Sequence, residues 1–285
     1  MKHRILACIM AVVLTVGLMP TAALAADSPE SSVSNIPDRA ADSPDPLITN
    51  IPEGLVIEGT VVTDYTGDAA DLTVPDGVTE IGRSAFNGDE TLESVTLPDT
   101  VTTIGQFAFS DAEKLTSITM PGVTTIENYA FQRIETLESI EMPEVITIGE
   151  DAFRGDSVLA AVTALKLETI GKQAFNETAI TSIELPEVLT IGERAFYSTP
   201  LESISAPKVT SIGSMAFAST AFTAFTLPES VTDVGESILN NCRHLESLSV
   251  SLNVLLNAVF DDGAFLNTFN TYDEYEIVLT GVDQD

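Results

Sequence analysis

Apolar positions return along this chain in one fixed order. Residues 137–153 read LESIEMPEVITIGEDAF, with Leu137, Ile140, Met142, Val145, Ile148, Ala152 and Phe153 apolar and Pro143 and Gly149 as punctuation. Nearly the same order is written at 92–109 (LESVTLPDTVTTIGQFAF) and at 180–196 (ITSIELPEVLTIGERAF). An Ala-Phe pair marks each copy, at Ala85-Phe86, Ala108-Phe109, Ala130-Phe131, Ala152-Phe153, Ala174-Phe175, Ala195-Phe196 and Ala216-Phe217, with Ile238-Leu239 as the next equivalent. Successive markers lie 23, 22, 22, 22, 21, 21 and 22 residues apart. No copy this short can bury its own apolar side, so each is expected to be one rung of a stack.

The pattern within a rung predicts its path. In Leu92-x-x-Val95-x-Leu97 the last two apolar groups share one face of a strand, because side chains alternate with period two. Pro98 lacks an N–H and ends that strand. Val101 and Ile104 return along the other side, Gly105 turns the chain, and Ala108-Phe109 dips inward on one helical or 3₁₀ turn. Phenylalanines of neighbouring rungs are then expected to stack at about the spacing of strands in a sheet, ~4.8 Å. Length varies at two corners only, after the proline and after the phenylalanine, which is where stacked coils tolerate insertions. One rung departs by carrying Leu165 where others have proline, and another carries Glu127 in place of the turn glycine.

Outside the repeat the composition shifts. Lys2, His3 and Arg4 precede the uncharged apolar run Ile5–Met19, and Ala23-Leu24-Ala25 offers a small-x-small cleavage site, so residues 1–25 are predicted to be a secretory signal peptide. Residues 26–50 are rich in Pro, Ser and Asp and poor in large apolar groups, which predicts a flexible tether. Residues 51–78 are read as an N-terminal cap and first rung in which Val61, Tyr65 and Leu72 cover the open end. The repeats occupy 79–250. Beyond Val250 the pattern is expected to fail, and 251–285 is read as a C-terminal cap with an edge strand over Tyr272 to Leu279.

Charge narrows the partners. With 43 Asp plus Glu against 12 Lys plus Arg, the formal charge is −31. Nucleic-acid phosphates and anionic lipids are repelled by such a surface, so neither nucleic acid nor membrane insertion after signal cleavage is expected. A basic partner is favoured. Removal of the leader would leave Cys242 as the one cysteine, so no internal disulfide forms and packing must hold the fold. His244 would be the one histidine, too little for a Ser/His/Asp base or a His/Cys metal site. No EF-hand loop, glycine-rich phosphate cradle or tryptophan platform is present, although acidic corners could hold calcium weakly. No enzyme activity and no cofactor are implied.

The outward strand positions carry different information. They include Ser94, Thr96, Ser117, Thr119, Ser139, Glu141, Thr163, Ser182, Glu184, Ser203, Ser205 and Thr226, a ladder of small hydroxyls with two carboxylates. This is the candidate binding face, broad and shallow, for an extended protein partner. The alternative is that small polar residues merely solvate a curved sheet.

LESVTLPDTVTTIGQFAF and its copies closely resemble the leucine-rich repeats of BspA-like bacterial surface proteins, the type 5 leucine-rich repeat. The resemblance covers about residues 60–250 and fixes proline, glycine and Ala-Phe together. It implies a β-rich leucine-rich-repeat solenoid, with parallel β rungs, short helical or 3₁₀ turns, about eight repeats of 21–23 residues and a cap at each end. The family often carries cysteine three residues after the phenylalanine. Here Asp89, Ala112, Ile134, Asp156, Thr178, Thr199 and Thr220 stand there and only Cys242 keeps the thiol, which makes Cys242 a packed ladder residue. The resemblance further implies a secreted or cell-surface bacterial protein, a monomer, acting as a non-enzymatic, adhesin-like scaffold for a host extracellular or bacterial surface protein. An architectural spacer or envelope module without a specific ligand is the alternative.

Overall fold

The computed structural model describes residues 48–261, 263–265, 268 and 276–280. The signal peptide, the tether up to residue 47 and most of the C-terminal stretch beyond 265 lie outside the described residues. The rest repeats one path. Each rung contributes a three-residue front strand, such as Ser139–Glu141, and a two-residue back strand, such as Thr147–Ile148. Like strands of adjacent rungs pair in parallel and in register, as Thr147 with Thr169 and Ile148 with Ile170.

The back strands, not the front ones, form the continuous sheet. Nine of them, from Glu80–Ile81 to Val259–Phe260, follow the hairpin Leu55–Glu58/Val61–Tyr65 in one eleven-stranded sheet. The front strands fall into four separate sheets. Ladder bonding is interrupted between Ser117–Thr119 and Ser139–Glu141, between Ala161–Thr163 and Ser182–Glu184, and between Ser203–Ser205 and Ala224–Thr226. From the sequence a strand is expected at Leu92–Leu97 and only a return path at Val101 and Ile104. A run such as Thr-Ile-Gly looks too short to be a strand, yet stacked in register it makes the longer ladder.

One apolar core runs the length of the stack. Ile104, Ile126 and Ile148 line it from the back strands, and Leu92, Leu115 and Leu137 from the approach to the front. Phe86, Phe109, Phe131, Phe153, Phe175, Phe196 and Phe217 fill its corner, all buried and stacked face to face. Their centroids are 4.8 Å apart at the Phe86–Phe109 step and 5.9 Å at Phe196–Phe217. The wider steps exceed strand spacing because the rings are offset, the favoured aromatic geometry.

The phenylalanine corner is tighter than a helical turn. It keeps bonds from residue i to i−3, as Ala130 N–H to Glu127 O and Gln132 N–H to Tyr129 O. A left-handed residue stands immediately before each Ala-Phe pair or its Ile238-Leu239 equivalent, and another two residues after it. Tyr129 (φ 62°) and Arg133 (φ 60°) are such a couple, and in eight rungs only Gly88 and Gly155 are glycine at these places. Left-handed backbone destabilises a non-glycine residue by about 1 kcal/mol or more, and it stops the turn from becoming a helix. Three bonds per rung compensate. The N–H groups of Tyr129, Phe131 and Arg133 donate to the carbonyls of Glu150, Ala152 and Arg154 in the next rung, at 2.8, 2.8 and 3.0 Å. The corner is thus a third ladder, beside front and back.

Glycine after the back strand serves rung spacing rather than an unusual dihedral. A Cβ added to Gly192 would lie 2.6 Å from Gly171 C and 2.7 Å from Lys172 N, so backbones of successive rungs touch there. Glu127 occupies this place in its rung with its side chain exposed, and its carboxylate accepts the Gln106 N–H at 3.0 Å.

The ends depart from the sequence reading in two details. Val62, not Val61, points inward from the first strand of the parallel stack, and Tyr65 packs against Phe86 at 5.6 Å. Past Val250 the rung path continues. Helix Leu252–Asn257, capped by the Ser251 hydroxyl, replaces the usual proline corner and lengthens that rung. Val259–Phe260 then joins the back sheet, and the carbonyls of Gly263 and Ala264 accept from the Ser237 and Ile238 N–H groups, one residue out of the usual corner register. The inserted helix displaces Ala264-Phe265 from the expected spacing, which hides it as a further marker.

Candidate functional site

Each candidate face residue lies on a front strand with its inner neighbour turned to the core. Thr96, Ser117, Thr119, Ser139, Glu141, Thr163, Ser182, Glu184, Ser203, Ser205 and Thr226 are exposed, and Ser94 is half-buried. Register brings Ser94 beside Ser117 and Thr96 beside Thr119. It brings Glu141 beside Thr163, Ser182 beside Ser203, and Glu184 beside Ser205. Across the three interruptions no such pairing exists among the described residues, so the face is a row of separate panels. Ser94 is partly spoken for, since its hydroxyl donates to Asp71 Oδ1 at 2.5 Å.

One interruption lies within residues 160–205. A groove of about 640 Å³ opens there, lined by Ala160, Val162, Leu165, Ile183, Glu184 and Ile204 among others. Val162 and Ile204 are half-exposed although they are the inward residues of their strands, and Leu165 is 53 % exposed. The cause is local composition. Ala160 and Ala161 stand where the preceding rung has Glu138 and Ser139, and Leu165 stands where Pro143 would cover the edge. The sequence marked this rung only as degenerate; small side chains beside a leucine in the proline place are the signal that could have found the groove.

Charge is sorted between front and corners. Front strands carry Asp71, Glu141 and Glu184 and no lysine or arginine, and Glu93, Glu138, Glu202 and Glu246 stand just before such strands. Several cations sit at the corners, paired with an acid of the preceding rung. Lys166 Nζ is 2.5 Å from Glu144, Lys208 Nζ is 2.5 Å from Glu187, and Arg133 forks onto Asp111 with two bonds of 2.7 Å. The Arg133 hydrogen bond holds the Asp111 carboxyl below its ordinary range, against the opposing effect of burial. These corners alternate in sign, so they are less acidic than the net charge suggested. Among the described residues no cluster of three or more His, Cys, Asp or Glu side chains is arranged to hold a metal ion.

Two buried polar groups have no part in the face. Cys242 donates to the Phe217 carbonyl at 3.1 Å and meets Thr220 Oγ1 at 3.2 Å, and burial pushes its thiol up despite the Thr220 contact. His244 is exposed, so the two lie on opposite sides of the rung wall. Asp156 is 0 % exposed. One oxygen accepts the Ile134 N–H at 2.8 Å, and the other has no partner. Burial drives its carboxyl well above the ordinary range, and the backbone N–H groups of Ile134 and Arg133 only partly oppose this.

The repeat can now be compared with known proteins. The profile of the BspA type Leucine rich repeat region matches six copies, over residues 64–168 and 168–278. The chain belongs to this family. Among solved bacterial leucine-rich repeat structures, a leucine-rich repeat protein from Bacteroides ovatus superposes with a TM-score of 0.64 at 25% identity, over 79% of this chain and 60% of that one. The chain therefore spans about three fifths of that protein's length. The leucine rich repeat protein of T. pallidum gives 0.52 at 29% identity, over 65% of this chain and 82% of that one. No curated protein matches. A BspA-type repeat region suggests a protein-interaction scaffold, since leucine-rich repeats generally mediate protein contacts, and its members are typically non-enzymatic. Among the described residues no helix is long and apolar enough to cross a membrane.

Proposed function

We propose that this BspA-type chain is a secreted or cell-surface, adhesin-like scaffold that binds a host extracellular or bacterial surface protein through its front face and performs no catalysis. The observation that carries this reading is the front surface itself: outward side chains stacked in register within each panel, acidic and free of lysine and arginine on its described strands, over apolar inner residues. The domain organisation that goes with it is a cleaved leader at 1–25, a tether at 26–50, a cap at 51–78, repeats, and a terminal cap, in a monomeric chain. Export is supported by the basic, apolar and small-residue order of the leader. Binding of the purified chain to matrix proteins and to whole bacterial cells tests the reading. Ser139→Lys combined with Glu141→Lys is expected to abolish that binding. Undiminished binding by the double variant moves the contact away from the front, and no binding by the parent chain favours the spacer role. Hydrolase screening of the parent and His244→Ala chains is expected to give no activity in either.

A further inference from the structure

We propose that the groove at the interruption between Ala161–Thr163 and Ser182–Glu184 is the peptide-recognition site of the front face, and that it takes an extended segment of a protein partner in which aliphatic and basic residues alternate. This rests on the scaffold reading and names the partner chemistry for it.

The floor calls for aliphatic groups. Val162 and Ile204 remain half-exposed where their counterparts Val95, Ile140 and Phe225 are buried, and Leu165 stands on the rim with nothing over it. Covering such surface is favourable at about 25 cal/mol per Å². The groove draws on three successive rungs, at Ala161, Ser182 and Ser203. At strand spacing those rungs span roughly 10 Å, the reach of about three extended residues. An extended segment crossing the rungs turns alternate side chains to the floor and to the rim.

The rim calls for cations. Glu184 lines the groove, and Glu138, Glu141 and Glu202 stand exposed around it. Among the described residues none of these four is in an ion pair. The lysines of the same rungs are held away from it, Lys166 by Glu144, Lys172 between Glu150 and Glu193, and Lys208 by Glu187. An acidic segment would meet only like charge here, so charge complementarity selects the partner.

The test uses the full chain with three end-blocked six-residue peptides: alternating valine and lysine, alternating valine and glutamate, and lysine throughout. Fluorescence anisotropy is expected to find the valine–lysine peptide bound roughly tenfold more tightly than the all-lysine peptide, a difference of about 1.4 kcal/mol, with no binding of the glutamate peptide. Glu184→Lys and Leu165→Ser are each expected to weaken the valine–lysine peptide severalfold, and Glu93→Lys, on a distant rung, to leave it unchanged. All three side chains are exposed or at the surface, so the fold is kept. Equal binding of the all-lysine peptide, or equal loss from Glu93→Lys, overturns the groove in favour of diffuse attraction, and so does failure of the valine–lysine peptide to bind. Matrix or cell binding that survives Glu184→Lys would remove the groove while sparing the scaffold reading. Groove-specific peptide binding in a chain that ignores cells and matrix proteins would instead sustain the groove and remove the adhesin role.

Discussion

The front and the back of this solenoid are built from the same rungs, yet they are held together differently. At the back, eleven strands share one unbroken ladder, and the adjoining corner adds three further bonds per rung. At the front, bonding comes in panels of two or three strands. Rung alignment is already fixed by the back strand, the phenylalanine stack and the left-handed corner. The front strands are therefore released from a structural duty, and their outward residues can vary without loss of register. The difference shows that in a stacked fold one side can carry cohesion while the other is left open for contact.

The largest expected effect contrasts core positions on the two sides. Phe153→Ala removes a fully buried ring from the middle of the stack and should lower stability by about 3–5 kcal/mol in urea unfolding. Ile204→Ala, at the half-exposed front floor, should lower it by only about 1 kcal/mol. Equal losses would mean that the front is as cohesive as the back. Next comes Gly192→Ala, which forces a methyl group against the backbone of the preceding rung and should destabilise by about 1–3 kcal/mol in the same assay.

Asp156 gives a smaller effect with a distinct pH signature. Its folded-state carboxyl is raised, so the folded chain holds a proton that the unfolded chain has lost above its ordinary carboxyl range. The stabilising contribution is thus complete in acid and declines as pH rises toward the folded value. Asp156→Asn should flatten that decline and add about 1–2 kcal/mol at neutral pH, because an amide is buried neutral without taking up a proton on folding. Thermal melts of both chains from acid to neutral pH measure it. The smallest effect is Glu177→Gly, at an exposed left-handed corner residue (φ 61°), which should stabilise by about 0.5–1 kcal/mol. A loss there would show that the corner bonds do not impose the strain.

Much of this architecture was legible because burial writes itself into residue type. The Ala-Phe markers, the Leu92-to-Leu97 spacing and the two variable corners each have an apolar or proline signature, and each took its expected place. The left-handed corner had none, since Ser84, Phe107, Tyr129, Asp151, Gln173, Arg194 and Met215 all occupy one backbone position. There the conformation is imposed by bonds between rungs, which leave no mark on the side chain. The same holds for the front interruptions. The outward face residues could be named from alternation alone, whereas the groove depends on what is missing, the bulk that Ala160 and Ala161 do not supply. The corner lysines were also invisible as neutralisers, because Lys166 meets Glu144 only after a full circuit of the chain.

The hairpin at the head of the eleven-stranded sheet has a consequence for assembly. A column of like rungs is a template for its own growth, because the last parallel strand of one molecule could dock on the first of another. Here the first strand, Leu55–Glu58, runs antiparallel to its neighbour and carries an irregularity between Val56 and Ile57. Its outer edge does not present the evenly slanted row of donors and acceptors that an incoming parallel strand requires. The reversal makes that end a poor dock for the last parallel strand of another column.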